Sequence, residues 1–104
     1  MPTYNKLVRD AIPEVISQTG KEFRTSTVTG ETLLTELKKK LLEEAEEFVQ
    51  SSNDPAELAD VLEVMEALAA ALELDWETLR QIQADKRVQR GGFQKGIFLE
   101  WVED

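Results

Sequence analysis

Within "LLEEAEEFVQSSNDPAELADVLEVM", Leu41 to Met65, four acids come in two pairs with the same spacing: Glu44 with Glu47, and Glu57 with Asp60. Acids at i and i+3 share one helix face, so each pair can offer two carboxylates in one direction. Four carboxylates brought together repel unless they are protonated or share a cation. The chain has no Cys and no His. That removes thiolate and imidazole chemistry and the usual zinc ligands. A cation here would be held by oxygen, which favours magnesium, with manganese and calcium in the same hard-ligand class.

Whether the pairs meet depends on the elements that carry them. From about Glu31 to Gln50, Leu34, Leu37, Leu41, Ala45 and Phe48 recur every three or four residues, as on one helix face. "SSNDP" ends that pattern. Asp54 suits an N-cap, Pro55 the first helical position, and Glu57 the acid of a capping box. The next helix, Pro55 to about Leu72, has Leu58, Val61, Leu62, Met65, Leu68 and Leu72 as its stripe, widened by alanines. A short turn between two helices predicts antiparallel packing, which brings the end of one and the start of the next together. On a helical wheel Glu44 lies at the edge of its stripe, with Glu47 one step further out. Glu57 projects between Val64 and Leu68, and Asp60 between Ala67 and Ala71. Ordinary roles exist for each acid taken singly: Glu57 as a capping acid, Glu44 as the i,i+4 partner of Lys40. Asp60 resists such a role best, because Asp is a poor helix former and here faces alanines.

The remaining chain supports one domain over residues 1–104. "YNKLVRDAIPEVISQTG" predicts a short helix with Pro13 in its first turn and Gly20 at its stop. "EFRTSTVTG" reads as a short strand, and "DWETLRQIQADKRVQR" as a fourth helix ending at Gly91-Gly92. The tail "GIFLEWVED" alternates weakly and is a candidate partner for the strand. The fold class expected is mainly α: a bundle of about four helices with a candidate two-stranded β element. The helix from Pro55 is too apolar for so short a chain to cover, which predicts a homo-oligomer, dimer or tetramer. The net charge of -9 argues against a nucleic-acid partner bound through a broad basic face. No segment has the length of a membrane span and no signal-peptide pattern opens the chain, so a cytoplasmic protein without a membrane partner is expected.

Two motifs in order, Glu43-Glu44-Ala45-Glu46-Glu47 as E-E-x-x-E and Glu57-Leu58-Ala59-Asp60 as E-x-x-D, resemble the all-α nucleoside triphosphate pyrophosphohydrolases. This group includes MazG-like, dimeric dUTPase-like and phosphoribosyl-ATP pyrophosphohydrolase proteins. "YNKLVRDAIPEVI" and "RGGFQKGIFL" look like the flanks of its small stand-alone members, so the resemblance spans about Tyr4 to Glu100. It implies a magnesium-dependent hydrolase that splits a nucleoside triphosphate into monophosphate and pyrophosphate, in a nucleotide house-cleaning role. By similarity Glu44, Glu47, Glu57 and Asp60 are the metal ligands, and Glu43 matches the motif's first acid. Two departures stand out. The connection between the motifs is short for the group, and Ala11 stands where related sequences tend to carry a lysine.

A triphosphate and an acidic protein are reconciled by a divalent cation that bridges carboxylate and phosphate oxygens. Without histidine, the base that orients water is a carboxylate, Glu43 or Glu63, or metal-bound hydroxide. Two basic clusters are candidates for binding the substrate's phosphates: Asn5, Lys6 and Arg9, and Lys86, Arg87 and Arg90. For the second, compensation of the helix C-terminus is an equal reading. For Trp76 and Trp101, core packing is favoured over stacking on a base. Two alternatives differ in class or substrate: a non-catalytic helical dimerisation module, and cleavage of phosphoribosyl-ATP in histidine synthesis.

Overall fold

The computed structural model describes residues 2–104, and among them four helices and no strand: α1 Ile12–Ser17, α2 Gly30–Gln50, α3 Pro55–Ala71 and α4 Trp76–Arg90. The mainly helical class is as the periodicity predicts.

The α2 stripe faces inward: Leu37 is buried, and Leu34, Leu41, Ala45 and Phe48 are half-buried. α2 packs on α3 as a helical hairpin, α4 touches α3 more lightly, and α1 packs on no other helix. The turn between α2 and α3 satisfies its own polar groups. Ser51 Oγ donates to the Phe48 carbonyl at 2.7 Å and accepts from the Asp54 N–H at 3.2 Å. Asp54 then caps α3 by accepting from the Ala56 N–H at 2.9 Å. Asn53 sits at φ 62°, a left-handed conformation Asn tolerates better than most residues. Beyond α4, Gly91 takes φ 83° and turns the chain away from the helix axis.

Three expectations are corrected. The first concerns α3. Its marked stripe is only partly packed: Leu58, Leu62, Met65 and Leu72 are 40–55% exposed, while Val61 and Leu68 are half-buried. The buried Val64 and half-buried Glu57, Asp60, Ala67 and Leu68 define the covered side instead. α3 is apolar nearly all round, so periodicity alone could not choose between two apolar arcs. The second concerns the β element. "EFRTSTV" and the tail adopt neither strand nor helix. Alternation records local preference, and a strand also needs a neighbour to accept its ladder. The third concerns Trp101, which is 79% exposed beside the exposed Phe98 and Val102 instead of packed in a core.

The chain is far from compact. It exposes 9619 Å², whereas a folded monomer of this mass exposes about 5,900 Å². Its radius of gyration is 18.2 Å, against about 13 Å for a compact domain of this length. The open arc of α3, Pro55, Leu58, Ala59, Val61, Leu62 and Met65, lines a shallow apolar groove of about 390 Å³. No helix among the described residues is long and apolar enough to cross a membrane.

Candidate metal centre

The hairpin brings acids from both helices to its turn end. Glu44 of α2 and Glu57 and Asp60 of α3 each place a carboxylate oxygen within 4.8 Å of the others. Glu44 is the most deeply placed, with 8% of its surface exposed. Its Oε2, and Oε2 of Glu57, are shielded from solvent and accept no hydrogen bond from the described residues. Buried polar atoms are nearly always paired, so two orphaned acceptors in one cluster call for a donor or a cation.

The capping-box role for Glu57 is not realised. That role needs its carboxylate on the Asp54 N–H, which donates instead to Ser51 Oγ. Freed from the backbone, Glu57 turns toward Glu44 and Asp60.

Glu47 is exposed and lies outside the tight trio, yet it belongs to the same electrostatic unit. The closeness of its carboxyl to that of Glu44, then the Glu44 charge, burial and the Glu57 charge, together raise its pKa. The Glu43 carboxyl shares the Lys40 ammonium with Glu44. Burial pushes its pKa up, but the hydrogen bond from Lys6 and the charge of Lys40 outweigh that and hold it below the usual range.

No family model, no curated protein and no solved structure matches this chain.

Three cations close on the acids. Lys40 Nζ reaches Glu43 Oε1 at 3.3 Å and Glu44 Oε1 at 3.2 Å. Lys6 donates to Glu43 Oε1 at 3.1 Å, which in turn raises the Lys6 pKa. Arg9 donates from Nη2 to Asp60 Oδ1 at 2.6 Å, with Nη1 3.9 Å from Glu63 Oε1. The basic N-terminal cluster therefore sits at the acidic end of the hairpin. Lys6 and Arg9 are engaged with carboxylates, and Asn5 is exposed at φ 44°.

The second basic cluster lies at the end of α4. Arg87 and Arg90, with Lys95 and Gly91-Gly92, line an open basin of about 650 Å³, while Lys86 is exposed outside that lining. Lys95 was not singled out from sequence, and its place between Gly92 and Gly96 is the signal that could have marked it. The long-range pairs of Lys6 and Arg9 had no sequence signal, because they depend on where the first ten residues lie against the hairpin.

Proposed function

We propose that this chain is a divalent-cation-dependent nucleoside triphosphate pyrophosphohydrolase of the all-α, MazG-like kind. Glu44, Glu57 and Asp60 would hold magnesium, Glu47 would complete the set, and manganese is the alternative ion. The observation that carries the reading is the pair of buried, unpartnered oxygens, Glu44 Oε2 and Glu57 Oε2, in a cluster whose carboxylates converge within 4.8 Å. A solvated acidic face would leave no such atoms.

Magnesium, when bound, would supply charge to screen the phosphates and a Lewis acid to polarise them. The rest is the work of side chains. Water adds at phosphorus, the anhydride bond between the α- and β-phosphates breaks, and the water's proton passes to a carboxylate. Glu43 suits that task poorly, since Lys6 and Lys40 hold its pKa down and so weaken it as a base. Glu63, 56% exposed with Arg9 at 3.9 Å, is the remaining candidate. Arg87, Arg90 and Lys95 offer charge for a phosphate tail.

We also infer self-association. The surface in excess of a compact monomer is about 3,700 Å² per chain, more than the roughly 1,000–2,500 Å² per partner that obligate homodimer interfaces of about 2,000–5,000 Å² in total cover. A second copy covering the open arc of α3 accounts for a face that is apolar and carries no charge in its groove lining. A non-catalytic dimerisation module would share that face but has no use for the converging carboxylates.

The test is pyrophosphate release from a panel of ordinary and modified nucleoside triphosphates and phosphoribosyl-ATP, with magnesium and with chelator. Magnesium-dependent release is expected. Release from phosphoribosyl-ATP alone would move the chain to histidine synthesis. No release from any member, with no effect of magnesium on stability, would leave the dimerisation module.

A further inference from the structure

The cations around the cluster are arranged as selectively as the acids. Lys40 is a mostly buried lysine, 15% exposed at its side chain, and its contact with Glu44 is to Oε1. The other oxygen, Oε2, is the buried orphan. Asp60 also pairs through one oxygen: Oδ1 takes the Arg9 guanidinium at 2.6 Å, which leaves a second, more exposed oxygen outside that pair. Arg9 comes from a segment fifty-one residues away in sequence, and its α1 neighbour packs on no other helix.

From this division we infer that Lys40 and Arg9 are positioning residues that set which cation the site accepts. The inference rests on the reading of Glu44, Glu57 and Asp60 as a metal centre. Each cation occupies one oxygen of a ligand carboxylate and presents the other to the ion. Glu44 and Asp60 then bind through single oxygens at fixed orientation and cannot turn to embrace an ion with both without breaking an ion pair. Single-oxygen ligands held in place suit magnesium, which demands near-ideal octahedral geometry at about 2.0–2.1 Å. Calcium takes more ligands, about 6–8 at 2.3–2.6 Å, and readily uses carboxylates in two-oxygen mode. Lys40 and Arg9 thus favour the smaller ion.

A second effect runs the other way and separates the explanations. Any positive charge near the site repels a divalent cation, so removing Lys40 or Arg9 strengthens binding by simple electrostatics. That effect depends on charge and is nearly the same for magnesium and calcium. Orientation is not: freed carboxylates help calcium and harm magnesium. The ratio of the two affinities therefore reports positioning, and a common shift in both reports charge.

The experiment is calorimetric titration of the full chain with magnesium chloride and, separately, calcium chloride. The proteins are wild type, Lys40→Met, Arg9→Met and the charge-keeping Lys40→Arg and Arg9→Lys, with helix content checked by circular dichroism in chelator. Loss of a side chain that orients a ligand changes metal affinity by about 10–100-fold. We expect each Met variant to move the magnesium-to-calcium affinity ratio toward calcium by about tenfold or more, and the charge-keeping variants to restore part of it. If Lys40→Met and Arg9→Met instead bind both ions tighter by one common factor, the cations are counter-charges only and the inference is overturned. Arg9 is over half exposed, so its variants keep the question answerable if Lys40→Met fails to fold. Wild type binding neither ion would overturn the metal centre itself, a result distinct from binding with an unchanged ratio.

Discussion

Arg9 and Asp60 stand fifty-one residues apart in the chain and 2.6 Å apart in space. That contact ties the N-terminal segment to α3 at the residue the wheel picks out as least at home on its face. It also changes what an Asp60 variant should do.

Asp60→Asn removes one negative ligand at nearly constant shape. In metal-free buffer it relieves repulsion from Glu44 and Glu57 but gives up the pair with Arg9. Both partners are partly exposed, so that loss costs at most about 1 kcal/mol, and the net change should be small. Wild type should gain about 2.7 kcal/mol at a hundredfold excess of magnesium over Kd. Asp60→Asn should lose most of that gain and nearly all turnover. Thermal melts with and without magnesium check this, and an intact gain would move the site elsewhere.

Glu57→Gln should behave differently without metal. Among the described residues no cation pairs with Glu57, and its Oε2 is an unpartnered acceptor. An amide there can donate to Glu44, so metal-free stability should hold or rise by about 1 kcal/mol. Denaturant midpoints in chelator give the sign. A clear fall would mean Glu57 already has a partner in solution.

Lys6→Ala tests the outer pair. Glu43's folded pKa is depressed from 4.5. The pair therefore adds its full stability above about pH 4.5 and loses it as pH falls through the depressed value. The substitution should cost under about 1 kcal/mol at neutral pH, because Lys6 is well exposed. The cost should vanish in strong acid. A cost unchanged at pH 2 would assign Lys6 a packing role.

Arg90→Ala should raise KM about tenfold with little change in kcat or folding, the loss of one charge-assisted hydrogen bond of about 1.5 kcal/mol. Steady-state kinetics on the best substrate of the panel decide. Unchanged constants would return Arg90 to compensating the C-terminus of α4.

Leu62→Glu should dissociate the assembly, since Leu62 lies in the open apolar groove of α3. Light scattering at micromolar concentration should give a multiple of 11.8 kDa for wild type and one chain mass for the variant. A monomeric wild type would require another partner for that face.

Local chemistry is what the chain's order could determine. Leu34, Leu37 and Leu41 mark α2's inner side because that helix has a polar back. Asp54-Pro55 starts α3, and Gly91 ends α4, because caps and turns are chosen by a few adjacent residues. The acidic pairs were legible for the same reason: i,i+3 spacing is a property of one helix. Three things were decided only in space. α3 has two apolar arcs of similar strength, and its pairing with α2 selected the one bearing Glu57 and Asp60. The strand-like segments found no partner, and a ladder cannot form alone. The cations on the carboxylates, Arg9 above all, were set by where a non-helical N-terminal segment meets the hairpin. Sequence distance carries no record of such a meeting, because an ion pair depends on the separation of charges in space and not along the chain.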